Sequence, residues 1–156
     1  LFCAIPIIRD AHFYFVHRLL HYHFLYKRIH ALHHKNVDIG PWSGMSMHPV
    51  EHILYFSGVL LYWLALSHPL HAIFHLQQTG LAPALAHCGF HKLKSRNGNG
   101  YSIGQRYFHY LHHRYFECNY SGDGTVPLDK WFGTWHDGTP EGHTVMRERR
   151  RRAHGS

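Results

Sequence analysis

Three histidines crowd into five residues twice in this chain, as His30, His33 and His34 in "HALHH" and as His109, His112 and His113 in "HYLHH". Imidazole is the commonest transition-metal ligand and titrates near neutrality. On a helix, positions i, i+3 and i+4 share one face, so each motif aims three imidazoles into an arc of about 100°. Two such helices facing each other can hold two ions. His17 and His21 in "HRLLH" add an i, i+4 pair, and His87 and His91 in "HCGFH" another. These four groups align ten imidazoles, which suits a pair of metal ions and points to a metal site by pattern.

Composition supports chemistry over packing as the reason for so much histidine. Of 156 residues, 20 are histidine, against 16 Lys and Arg together and nine Asp and Glu. A pH sensor or a solvated histidine-rich surface would scatter them or run them in tandem. Imidazole alone does not choose among Zn, Cu, Fe and Ni. The nine carboxylates exclude some classes: none begins a Glu-x-x-His motif of a ferritin-like bundle, and HExxH is missing. There is no GxSxG elbow and no P-loop. The carboxylates are therefore expected to support an imidazole-dominated site from outside it. Asp10, seven residues before His17 on the same helical face, can orient a ligand there or serve as an ordinary helix-start Asp.

Other histidines fit less well. His12 and His23 lie off the His17/His21 face. His48 and His52 form an i, i+4 pair around Glu51, and His68, His71 and His75 share a face of their own. Those five can be ligands, partners of ligands or buried polar contacts. Cys3, Cys88 and Cys118 are far apart, without CxxC spacing, and read as free thiols.

The elements that must position these groups read as helical. Residues 4 to about 35 form one or two helices, and a loop follows, "NVDIGPWSGMSMHP". Residues 53–66, "ILYFSGVLLYWLAL", carry no charge and are expected to make one helix approaching a bilayer's thickness. Residues 69–87 give a second apolar segment, expected to break near Gly80 or Pro83. Together they suggest a hairpin dipping into a membrane over about 50–87, with a buried helix pair as the alternative. "KLKSRNGNGYSIG" is a turn-rich linker before the helix of the second motif. Residues 1–140 thus make one domain, and 141–156 are expected to be a disordered basic tail on the cytoplasmic side of a membrane. The net charge of +7 brings no nucleic-acid fold or basic–aromatic groove with it. "LFCAIPII" has no basic segment before it and does not resemble a signal peptide, so an upstream part is expected.

The order HRLLH, HALHH, HCGF and HYLHH, followed by "RYFECNYSGDGTVPLDKWFGTWHDG", resembles the fatty acid hydroxylase / sterol desaturase superfamily from about Asp10 to Gly138. The sequence is most similar to bacterial sterol-desaturase-like proteins of that group. The resemblance implies an all-α integral-membrane bundle, with the histidine boxes gathered on the cytoplasmic side around two metal ions. Here its first membrane helices would lie upstream. It makes His17, His21, His30, His33, His34, His87, His109, His112 and His113 the iron ligands. His91 is less secure, and Asn119 is expected near one iron.

The activity implied is O2-dependent hydroxylation or desaturation of an unactivated C–H bond in a lipid, a sterol or fatty acyl chain, by two iron ions. Electrons would come from a separate donor, cytochrome b5-like or a ferredoxin with its reductase. The alternatives are a non-catalytic zinc-binding membrane protein and an inactive, truncated homologue. Hydroxylase and desaturase are not distinguished by these residues, nor is the lipid.

Overall fold

A computed structural model describes residues 1–37, 39–64, 67–88, 92–94, 100–102, 106–122 and 124–154. His91 lies outside them. The described chain is helical apart from one short antiparallel pair. Helix α1 (Ile5–Leu20) begins with Pro6 in its first turn, where the missing N–H costs nothing. It buries Ile5, Tyr14, His17 and Leu20 along one side. After α2 (His23–Arg28), the first histidine motif winds as a 3-10 helix, His30–Lys35, instead of the expected α-helix.

The expected single helix over 53–66 is divided. Helix α3 (Pro49–Phe56) gives way to a 3-10 turn, Ser57–Leu60, and then to α4 (Leu61–Leu64). Ser57 Oγ bonds back to the Leu54 carbonyl at 2.7 Å, a local competitor of the helical ladder. Gly58 follows, and a Cβ there would meet the rings of His12 and His75 at 3.0 Å, so the close packing needs glycine. Among the described residues no helix is long and apolar enough to cross a membrane.

Helix α5 (Pro69–Ala86) runs unbroken through Gly80 and Pro83, against expectation. Proline lacks the N–H that would bond the carbonyl four residues back, at Thr79. The Tyr55 hydroxyl donates to that carbonyl at 2.9 Å, so the helix continues with its freed acceptor satisfied. The 3-10 segment Pro41–Met45 packs on the same stretch of α5. A Cβ at Gly44 would meet Pro83 backbone atoms at 2.6 Å.

The linker before the second motif contains β1 (Lys92–Lys94) paired antiparallel with β2 (Gly100–Ser102). The second motif lies on α6 (Arg106–Tyr115), followed by the short α7 (Leu128–Trp131). The expected disordered tail instead forms α8 (Pro140–His154). Thr139 Oγ1 accepts the Gly142 N–H at 3.1 Å, Pro140 occupies the first turn, and Met146 is buried with Leu111, Tyr115 and Cys118. The three cysteines are free thiols, Cys118 buried.

Candidate metal centre

Nine histidines from four parts of the chain meet in two adjoining groups. His17 and His21 of α1, His30 and His34 of the 3-10 segment and His112 of α6 form one, with all their ligand atoms within 4.8 Å of one another. His33, His87, His109 and His113 form the other under the same limit. Eight of the nine are buried; His21 is half-buried, and a cleft of about 640 Å³ between Tyr26, Phe116 and Arg149 reaches it. His87 terminates α5, so the continuity of that helix through Pro83 carries it to the site.

Five of the outward-facing ring nitrogens are held, while those of His34, His109 and His113 are buried without a hydrogen-bond partner. His17 Nδ1 donates to the Tyr120 carbonyl (2.8 Å), His112 Nδ1 to that of Cys118 (2.6 Å) and His33 Nδ1 to that of Ser46 (3.2 Å). Carbonyls only accept, so these nitrogens carry the protons. His30 Nδ1 meets Glu51 Oε1 at 2.7 Å, with both groups buried. Ser43 Oγ gives its proton to the Gly40 carbonyl and accepts from His87 Nδ1 at 3.0 Å. Neutral imidazole has a single N–H, so the Nε2 atoms of His17, His112, His33 and His87 point lone pairs inward; that of His30 does so when Glu51 is ionised, whereas burial pushes Glu51 up to about 8.

Those lone pairs converge. His17 Nε2 and His30 Nε2 are 3.1 Å apart, and His34 Nε2 lies 3.1–3.2 Å from those of His30, His21 and His112. His87 and His109 face each other at 3.0 Å, and His113 Nε2 is buried without a hydrogen-bond partner. Facing ring nitrogens repel unless a proton or a metal cation lies between them. Nitrogens at right angles around a metal with bonds of about 2.1 Å lie about 3.0 Å apart, the spacing found here. The donor set therefore fits transition-metal ions, one for each group.

Burial keeps these rings neutral, as metal binding needs. It pushes His17 down to about 3 and His33 to about 4. His21, His30, His34, His109, His112 and His113 are also held far below the usual imidazole range, by burial first and by neighbouring imidazoles second.

The sequence model of the family described as "Fatty acid hydroxylase" matches residues 2–134. The chain belongs to the fatty acid hydroxylase family. It is 33% identical over 129 residues to a putative methylsterol monooxygenase of Dictyostelium discoideum, covering 82% of this chain and 47% of that protein. A putative Delta(7)-sterol-C5(6)-desaturase of Arabidopsis thaliana is also 33% identical over 129 residues, 78% of this chain and 43% of its own length. Sphinganine C4-monooxygenase 1 of the same plant is 28% identical over 146 residues, 86% and 53% of the two chains. The chain thus spans about half the length of these relatives. No solved structure matches it significantly.

Within this fatty acid hydroxylase chain, four other expected site residues stand outside the two groups. His48 caps α3 by accepting the Val50 N–H, and His52 is half-buried beyond His33. Asn119 does not face a metal position. Its backbone is left-handed (φ 52°), its Nδ2 donates to the Phe108 and His136 carbonyls, and its Oδ1 accepts the His136 N–H. Asp10 does not touch His17. Its carboxylate accepts from Ser121 Oγ and the Val126 N–H at 2.9 Å and from the Gly124 N–H at 3.2 Å, fixing the loop whose Tyr120 carbonyl holds His17.

Three supporting residues escaped the reading of the sequence. Glu51 holds His30, Ser43 holds His87, and Asp129 accepts the Tyr120 and Ser121 N–H groups at 2.9 Å. Glu51 alone left a signal: it is the single acidic residue opening the longest uncharged stretch. Of the remaining histidines, His12 bonds Ser57 at 3.1 Å, His75 bonds Tyr62 at 3.2 Å and His23 is exposed.

Proposed function

We propose that this chain is the metal-bearing core of an O2-dependent, di-iron membrane enzyme that hydroxylates or desaturates a lipid, a sterol or fatty acyl chain. The observation that carries the reading is the convergence of buried Nε2 atoms at 3.0–3.2 Å inside a fatty acid hydroxylase family chain. Iron bound there would supply the O2 activation needed to remove hydrogen from an unactivated C–H bond, which side chains alone cannot do.

The protein's own contribution is positional. Backbone carbonyls fix the tautomers of His17, His33 and His112, the buried rings exclude water, and the apolar side chains of α1 and α5 beside the imidazoles suit a hydrocarbon substrate. Relatives named for monooxygenation or desaturation of sterols and sphinganine support a lipid substrate. Trp63, Leu64, Ile53 and Ile73 are largely exposed on α3, α4 and α5, an apolar surface suited to lipid. The histidine motifs and the basic C-terminal helix would then face the cytoplasm. Lys27 and Arg149 border the cleft at His21 and suit an acidic electron donor, cytochrome b5-like or a ferredoxin.

The test is metal analysis and Mössbauer spectroscopy on the whole protein purified in detergent, then O2 consumption with reductant and a sterol or fatty acyl lipid. A coupled iron pair with lipid-dependent O2 uptake is expected. Zinc alone, with no iron uptake under anaerobic reconstitution, overturns the proposal in favour of a non-catalytic metal protein.

A further inference from the structure

Three of the nine histidines keep an outward ring nitrogen that no protein group meets: His34, His109 and His113. Of the three, only His109 lines the cavity between α1, α3 and α5, and Glu51 lines it too. The cavity measures about 30 Å³, and Phe13, Val16 and Ala82 are among its apolar walls. His17 links the two polar sides. Its ring centre is 4.9 Å from that of His30, which Glu51 holds, and 5.8 Å from that of His109.

To bind metal, His109 must present a lone pair at Nε2, the atom that faces His87 Nε2 at 3.0 Å in the four-histidine group. The neutral ring then carries its proton on Nδ1. A buried N–H without an acceptor costs about 1–3 kcal/mol. On the same cavity wall, Glu51 gives Oε1 to His30 and leaves Oε2 buried without a partner. One donor and one acceptor thus border one small space. The other polar groups of the wall are engaged. The Nδ1 atoms of His17, His33 and His87 are held by Tyr120, Ser46 and Ser43, and the Tyr55 hydroxyl donates to the Thr79 carbonyl and accepts from Arg9. A water needs about 10–15 Å³ of such space and at least two polar partners. This cavity has room for a water and none for a lipid chain.

We propose that the cavity binds one ordered water, which accepts from His109 Nδ1 and donates to Glu51 Oε2. The water lies on the outer side of the rings, away from the converging Nε2 atoms, so it does not compete for the metal positions. A continuous hydrogen-bonded chain then runs from the five-histidine group to the four-histidine group, through His30, Glu51, the water and His109. Glu51 is a positioning residue for ligands of both groups, directly for His30 and through the water for His109. The direction of these bonds rests on the metal reading above, and none of it on the lipid or on O2.

The first test is a high-resolution crystal structure of the whole protein with metal bound. A density peak within about 3.2 Å of both Glu51 Oε2 and His109 Nδ1 is expected. An empty cavity, or a peak that meets only one of the two atoms, overturns the inference. The second test fills the space: Val16→Ile adds one methyl group to the wall, and its helical content is checked first. It is expected to expel the water and weaken metal binding about tenfold at the four-histidine group, with a smaller change at the other. Metal per chain at limiting supply, with the Mössbauer signature of each ion, reads the difference. Equal weakening of both groups, or none, overturns the role of the water. If Val16→Ile does not fold, the peak in the wild type decides. A wild type that takes up no metal overturns the proposed function alone, and the same peak, sought in its metal-free crystal, then decides this inference.

Discussion

The two HxxHH motifs have the same spacing on different backbones. His30–Lys35 is a 3-10 helix, whereas Arg106–Tyr115 is an α-helix. Nevertheless their rings match. His30 and His33 stack at 5.4 Å and 26°, and His109 and His112 at 5.5 Å and 19°. The i, i+4 pairs are perpendicular instead, His30 with His34 at 4.6 Å and 80°, His109 with His113 at 4.9 Å and 74°. In both motifs the perpendicular pair enters one group and the middle histidine enters the other. A single motif therefore serves both metal positions. The duplication makes the two groups depend on each other rather than giving each group a motif of its own.

The strongest way to break that comparison is to remove the middle histidines. His33→Ala should deplete the same ion as His113→Ala, and His112→Ala the same ion as His34→Ala, with turnover lost in all four. Iron per chain and the Mössbauer signature of the remaining ion check this. If His33→Ala matches His34→Ala, the crossed division is wrong.

Acid should dismantle the metal-free chain next. His17 and His33 titrate at about 3 and about 4 in the fold, against 6.5 ordinarily. Between those limits the unfolded chain binds protons that the fold refuses, so stability is lost as pH falls from 6.5 towards 4. The slope is up to about 1.4 kcal/mol per pH unit for each such histidine. Denaturant titrations across that window should show it, and a flat profile would contradict the burial of these rings.

Glu51→Gln tests the supports. It should weaken metal binding about 10- to 100-fold, and more at the five-histidine group, since it touches His30 alone among the nine. Gly44→Ala should cost about 1–3 kcal/mol, because the added methyl collides with Pro83 and displaces the segment that carries Ser43 to His87. Thermal unfolding measures that loss. At the small end, His23→Ala removes an exposed ring and should leave metal content and melting temperature unchanged.

Much of the site could be read from the sequence because histidine pairs four residues apart share a face of an α-helix, and His30 and His34 reach one group even from a 3-10 helix. Its division could not, since i+3 and i+4 look equivalent in one dimension. Asp10 and Asn119 stood out as possible companions of the metals, but each instead fixes backbone, and only the fold reveals which main-chain groups they serve. The continuity of α5 depends on a hydroxyl 24 residues away, beyond any local rule about proline. By contrast the expectation of a disordered tail followed the run of arginines, whereas Thr139 and Pro140 start α8. The hydropathy of 53–66 indicated an apolar segment correctly but not its length as a helix, which Ser57 and Gly58 cut short.

Three of the nine imidazoles, those of His17, His112 and His33, are oriented by the carbonyls of Tyr120, Cys118 and Ser46. A carbonyl is the same at every residue, so drift in the side chains at those positions leaves these contacts chemically intact. Gaining or losing one residue between α6 and α7, or just after the first motif, would retract the carbonyl altogether. Across descendants of this chain, selection should therefore conserve the lengths of these loops more strictly than their spelling.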